Sequence, residues 1–310
     1  MSSDIKRIQI LLSTYNGEKY LREQLDSFTR LSNFGAVKVL IRDDGSTDST
    51  PEILREYSEK YGFEIYYGQN LGLNLSLHTL IKKRDKSCDY FAFSDQDDVW
   101  LEDKLLRAEE TLSALDASVP TLYCAPSYIA DEALDIKGVT FIPKRKLSFY
   151  NAMIQNVCIG HTEVMNGALM DLLAREYSDD IRVTDYWTYL LASVSGKIVY
   201  DTKPTTLYRQ HGKNVIGYES SRMRALKVRI NRVKSKKSTK NARQLLAFIT
   251  LYKDIISKEY LFEAERFFAS QKNFFSRLLY VFKSKAYRQT KIETLIFRLM
   301  YLFGRYNVND

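Results

Sequence analysis

The chain is short of cysteine, proline and histidine, and it has no long apolar run. Three of its 310 residues are Cys, five are Pro and three are His. Cys88, Cys124 and Cys158 are odd in number and lack the paired spacing of a zinc site, so a disulfide framework is set aside in favour of free thiols in a reducing compartment. No window reaches the roughly 18 apolar residues that a spanning helix needs; even the C-terminal TLIFRLMYLFG is short and contains Arg298. The N-terminal MSSDIKRIQILLSTYNG is too short in its apolar part, and wrongly flanked, for a secretory signal. A cytosolic location is the expectation, compatible with peripheral membrane contact. GxGxxG and GxxxxGK[ST] are both missing, which removes support for a dehydrogenase-type dinucleotide fold and for a P-loop. There is no RNP, zinc-finger or helix-turn-helix signature either, so nucleic acid is not an expected partner.

What is present describes a globular protein, with hydrophobic residues at 45% and charged residues at 27%. The net charge of +8 is unevenly spread: residues 221–310 hold 21 Lys and Arg against 6 Asp and Glu, leaving 25 against 32 for residues 1–220. Two regions with different partners follow from that asymmetry. A boundary near residue 220 is expected, with a catalytic domain over 1–220 and a basic, amphipathic helical domain over 221–310.

In the first region apolar runs alternate with helical periodicities. Ile8 to Ser13, Val37 to Ile41, Phe63 to Tyr67 and Tyr90 to Phe93 read as strands. Helices are predicted over Tyr20 to Leu31, from Pro51 with Ser49 or Thr50 as cap, over Leu73 to Ile81, and over Glu102 to Leu115. Alternation of this kind implies a mostly parallel α/β sheet, whose ligands gather beyond the carboxyl ends of the strands. The loops Ser13–Asn16, Asp43–Asp48 and Ser94–Asp98 should therefore converge on one edge. Further on, one strand is expected over Thr121 to Tyr128, then an irregular middle, a helix over Asp185 to Ser193, and strands Lys197 to Tyr200 and Thr205 to Tyr208.

The loop FSDQDDVW crowds Asp95, Asp97 and Asp98 into four positions, which is unfavourable unless something positive sits there. Carboxylates suit hard divalent cations, and Mg²⁺ in particular is usually shared between one or two carboxylates and substrate phosphates. A calcium loop does not fit, because Trp100 and Leu106 stand where its Gly and Glu belong. A plain acidic helix start, favoured by the macrodipole, is the competing explanation. For Asp44 the competitor is an ordinary polar turn, for His211 a surface or core histidine, and for Asp185 a helix-start acid.

Taken in order, LSTYNGEKYLREQLDS, IRDDGSTDSTPEIL, QNLGLN, FSDQDDVWLEDKL, TDYW and YRQHGKNV resemble the family 2 nucleotide-sugar glycosyltransferases of the GT-A fold, over about residues 8 to 215. The pairing of SDQDDVW with YRQHG looks most like the rhamnosyltransferases of bacterial cell-wall polysaccharide assembly, of the streptococcal rhamnose-polysaccharide type. The resemblance implies a Rossmann-like, mixed but mostly parallel sheet. It implies Mn²⁺ or Mg²⁺ held by Asp97 and His211, with Asp95 nearer the ribose or diphosphate. Ser13, Thr14, Tyr15 and Asp44 match positions that hold the nucleotide base and sugar, and Asp185 matches the general base. Thr184 and Tyr186 depart from the family's usual neighbours of that acid, and Ser76 stands where related sequences often have Asn. The implied reaction is inverting transfer of L-rhamnose from dTDP-β-L-rhamnose to a polyprenyl-diphosphate-linked glycan, in α-1,3 linkage. A UDP-hexose-dependent enzyme of the same fold and a catalytically silent assembly subunit are the alternatives.

In the basic region Phe274, Phe275, Leu278, Leu279 and Phe282 recur at helical spacing beside Lys272, Arg277, Lys283 and Lys285. That pattern suits a helix in the interface of an anionic membrane, which would place the protein peripherally at the inner face. It equally suits a helical domain packed on the core or across a homodimer.

Overall fold

The computed structural model describes residues 6–212 and 237–308. The boundary expected near 220, the end of YRQHGKNV and the first part of the basic run Lys234 to Lys240 lie outside them. The described residues form two compact units that interleave along the chain. The first takes residues 6–142, 158–177 and 197–212; the second takes 143–157, 178–196 and 237–308.

All eleven strands among the described residues are in the first unit: β1 Ile8–Thr14, β2 Val37–Asp43, β3 Glu64–Tyr67, β4 Tyr90–Ser94, β5 Val99–Trp100, β6 Thr121–Cys124, β7 Tyr128–Ala130, β8 Ile136–Val139, β9 Val164–Asn166, β10 Lys197–Tyr200 and β11 Thr206–Arg209. Seven make one sheet in the order β10-β6-β9-β4-β1-β2-β3, and β5-β11-β7-β8 make a second. In the large sheet only β9 runs against its neighbours, β4 and β6; the β1, β2, β3 and β4 pairings, and β6 with β10, are parallel. The helices of this unit are α1 Leu21–Thr29, α2 Thr50–Tyr61, α3 Leu73–Lys83, α4 Lys104–Ser113 and, further along, α6 Gly167–Leu173.

The local causes are ordinary. β1 is buried at every position, as a parallel strand covered on both faces must be, and so reads as one apolar run. Leu21, Leu25 and Phe28 on α1, and Ile53, Leu54 and Tyr57 on α2, recur at helical spacing and are buried in the same cluster as Ile10, Leu12 and Ile41. Gly62 ends α2 in the left-handed region at φ 72, donating its N–H to Ser58. The single strand expected over Thr121 to Tyr128 is instead two. It breaks at Ala125-Pro126-Ser127, and β6 and β7 lie in different sheets.

The second unit is helical: α5 Phe149–Ala152, α7 Thr184–Ser195, α8 Lys237–Leu251, α9 Lys258–Ala269, α10 Phe274–Lys283 and α11 Lys291–Leu302. Its core is aromatic. Trp187 meets Phe248 edge-on at 5.3 Å, and Phe267 packs against Tyr280, Tyr301 and Tyr306. The buried Asn151 ties α5 to α7 and to the segment before α11. It accepts from the Tyr189 hydroxyl at 2.7 Å and from Gln289 at 3.1 Å, and donates to the Tyr287 carbonyl at 3.0 Å.

Candidate active site

The loops after β1, β2 and β4 lie together beyond the strand ends, and side chains hold them in place. The loop after β1 turns at Asn16, whose φ of 46 is in the left-handed region that Asn tolerates better than most residues. Asn16 N–H donates to Ser46 Oγ at 2.9 Å and its Oδ1 accepts from Thr47 N–H at 2.8 Å. Gly17 N–H donates to Thr50 Oγ1 at 2.8 Å, Glu18 N–H to Asp48 Oδ2 at 3.1 Å, and Glu18 Oε2 accepts from Ser49 N–H at 2.9 Å. On the other side Gln96, between Asp95 and Asp97, grips the Tyr15 backbone at both ends: its Oε1 accepts from Tyr15 N–H at 2.8 Å and its Nε2 donates to Tyr15 O at 3.1 Å. A Cβ at position 17 would lie 2.5 Å from that Oε1, so Gly17 leaves the room the amide fills.

Of the residues expected to hold a nucleotide, Ser13 and Thr14 are buried and the Tyr15 side chain is 47% exposed. Ser13 Oγ is 2.6 Å from Ser76 Oγ, and Thr14 Oγ1 donates to Asp43 at 3.0 Å. Asp44 is buried beside the Arg42 guanidinium and accepts from Leu71 N–H and Gly72 N–H, each at 2.8 Å. In this structure Asp44 thus fixes the segment that leads into α3, and Gly72 enters α3 with φ 80.

The acidic loop faces two histidines. His211 Nε2 is 2.8 Å from Asp97 Oδ2, and the His211 ring rests against Tyr20. His161, buried, places Nδ1 3.2 Å from Asp98 Oδ2 and 3.4 Å from Asp95 Oδ2, while its Nε2 pairs with Ser127 Oγ at 2.8 Å. Arg209 underpins the loop from below. Its N–H donates to Asp98 Oδ1 at 3.0 Å, Nε to Asp97 O at 2.9 Å, Nη1 to Glu132 O at 2.6 Å and Nη2 to Glu23 Oε2 at 2.5 Å. Lys104, also buried, donates to His161 O at 2.6 Å and to Thr206 Oγ1 at 2.9 Å.

Crowding shows in the ionisation. Burial pushes the Asp98 carboxyl up to about 7 despite the opposing His161, and burial with the Asp95 charge raises Asp97 despite His211. Burial alone would lower the His161 imidazole, but Asp98 and Asp95 outweigh it and the net shift is upward. Burial pushes Lys104 down to about 7 against the pull of Asp98. All three upward shifts, at Asp97, Asp98 and His161, favour added protons, that is, added positive charge, which a bound cation would supply instead.

The residues present fit such an ion. Ligand atoms of Asp95, Asp98 and His161 lie within 4.8 Å of one another, and two carboxylates with an imidazole suit Mn²⁺, or Mg²⁺ with more water. Sequence reasoning passed over His161 altogether and left Asp98 out of the site. No spacing marks His161, since it reaches the acids only through the fold; Asp98 stood in the cluster but outside the Asp-x-Asp pattern. Asp185 is half-buried in the first turn of α7 and belongs to the second unit. Cys88, Cys124 and Cys158 are buried and not joined in disulfides, and Cys124 and Cys158 meet Glu163 in a second group of potential ligands, which their spacing did not announce.

Solved structures share this fold along nearly the whole chain. TarS 1–349 from S. aureus in complex with UDP-GlcNAc matches 97% of this chain and 89% of its own with a TM-score of 0.58 at 16% identity. The mannosyltransferase PcManGT from Pyrobaculum calidifontis, in complex with GDP-Man and Mn²⁺, covers 98% and 86% with a TM-score of 0.55 at 14% identity. At these identities the likeness is one of fold, and it matches the mostly parallel GT-A sheet that the resemblance implied, followed by the C-terminal helices that the pattern of residues 221–310 predicted. Residues 9–167 match the model of Glycosyl transferase family 2, and the chain belongs to that family. Among curated relatives, dTDP-rhamnosyl transferase RfbG of Shigella flexneri is 28% identical over 231 residues, 66% of this chain and 73% of the relative.

Proposed function

We propose that this glycosyltransferase moves L-rhamnose from dTDP-β-L-rhamnose to a hydroxyl of a polyprenyl-diphosphate-linked glycan, with inversion and in α-1,3 linkage. The observation that carries the proposal is the acid and histidine cluster beyond β4, in a chain of this family that is similar to a dTDP-rhamnosyl transferase. Ser13, Thr14, Tyr15 and the Asp44-held segment would receive the nucleotide. Asp95, Asp97 and Asp98 with His161 and His211 would hold Mn²⁺ or Mg²⁺, which when bound would neutralise charge on the diphosphate. Asp185 is assigned as general base. It would take the proton of the acceptor hydroxyl as that oxygen bonds to the anomeric carbon and the bond to dTDP breaks. One displacement gives the α-L-rhamnoside, and no covalent intermediate forms. A lipid-linked acceptor would set the enzyme peripherally at the cytoplasmic face of the membrane.

The test is donor binding and hydrolysis by the full chain, with dTDP-β-L-rhamnose beside UDP-glucose, UDP-galactose and UDP-GlcNAc, in Mn²⁺, Mg²⁺ or EDTA. Metal-dependent preference for dTDP-rhamnose is expected. Asp97→Asn should lose metal-dependent donor use, and Asp185→Asn should lose turnover while keeping donor binding. Preference for a UDP-sugar would overturn the rhamnose assignment, and unchanged glycan output in both variants would overturn the catalytic one.

A further inference from the structure

The outer side of α10 and α11 is apolar and solvent-facing. One side of each helix is buried in the aromatic core, where Tyr280 and Tyr301 meet at 4.7 Å, and Arg277 Nε joins the pair by donating to Leu302 O at 2.8 Å. Phe275, Leu279 and Phe282 recur at i, i+4 and i+7, and Ile292, Leu295 and Leu299 at i, i+3 and i+7, so each helix carries a second apolar stripe away from that core. All six are exposed, Phe275 by 79% and Phe282 by 78%. A bare surface of this kind ordinarily marks an interaction site.

The charges around it select the partner. Between residues 272 and 305 the exposed charged side chains are Lys272, Lys283, Lys285, Lys291 and Arg305, of which Lys285 is paired with Glu259 of α9 at 2.8 Å; the one acid in that stretch, Glu293, is half-buried in the first turn of α11. A second copy docked here about a two-fold axis would bring these cations toward one another. An anionic bilayer would meet Lys272, Lys283, Lys291 and Arg305 with opposite charge and take the phenylalanines below its headgroups.

We propose that this face of α10 and α11 seats in the interface of an anionic lipid bilayer, with Phe275, Leu279 and Phe282 entering the acyl boundary and the surrounding lysines on the headgroups. The proposal rests on the second unit alone and does not depend on the donor. The full chain is sedimented with vesicles of phosphatidylcholine, alone or mixed with phosphatidylglycerol, at low and high salt. Binding to the mixed vesicles only, weakened by salt, is expected. Phe275→Glu with Phe282→Glu should reduce it at least tenfold, and Lys283→Gln with Lys291→Gln by about fivefold per charge, with thermal melting unchanged in both pairs. Absence of wild-type binding, or equal binding by the phenylalanine variant, would overturn the proposal. So would a concentration-dependent dimer that the same variant dissolves, which would assign the face to a second copy.

Discussion

Replacing Gly17 by alanine tests whether Gln96 clamps the first loop. The new Cβ would stand 2.5 Å from Gln96 Oε1 and 2.7 Å from its Cδ, so the amide has to swing away and release both ends of the Tyr15 backbone. Each of those hydrogen bonds contributes about 0.5–1.5 kcal/mol net, so Gly17→Ala should destabilise the first unit by about 1–3 kcal/mol. Gln96→Ala should do the same by a different route. Gly17 does not have a positive φ, so in the Gln96→Ala background the alanine meets no amide and no backbone strain. There it should be neutral, or stabilising by about 0.4–1 kcal/mol through the unfolded chain. Urea unfolding of the four proteins forms a double-mutant cycle with a coupling of about 1–3 kcal/mol. Equal costs for Gly17→Ala in both backgrounds would refute the clamp.

Substitutions at two other positions probe the frame of the site and of the sheet. Arg209→Met removes three side-chain donations from a buried guanidinium and should cost about 2–4 kcal/mol in urea unfolding; Arg209→Lys should recover under half of that, since one ammonium cannot replace a three-way fork. Asp85 is held well below the usual carboxylate range by the Lys38 ammonium and then by Ser87. A depressed carboxyl stabilises the fold above its unfolded pKa of about 3.9 and loses that contribution as pH falls through the lower folded value. Asp85→Asn should therefore melt earlier than the wild type at neutral pH, with the gap closing in acid; a constant gap would refute the assignment.

The first half of the sheet was legible because its strands are buried on both faces and its helices are amphipathic, so Ile8 to Thr14 and Leu21 to Phe28 each carry one clear signal. β9 was not: three residues inserted antiparallel between β4 and β6 are too few for any periodicity to register. The break at Pro126 was missed because apolar character continues across it from one sheet to the other. Asp97 and His211 were named together by motif, and their side chains lie 2.8 Å apart. His161 carries no local mark, since what sets it apart is a pair of acids more than sixty positions earlier and a hydroxyl from Ser127. The joining of 143–157 and 178–196 to the helical unit is likewise a product of tertiary packing, illustrated by Asn151 binding Tyr189 and Gln289.

The loops after β1 and β2 exchange hydrogen bonds in both directions, Asn16 and Glu18 each giving one and taking one. Neither loop is therefore a portable module. A graft that carries only one of them into another scaffold arrives with unmatched donors and acceptors. Recombination between relatives should accordingly preserve residues 14–18 and 46–50 as a single inherited block, although α1 and β2 separate them in the chain.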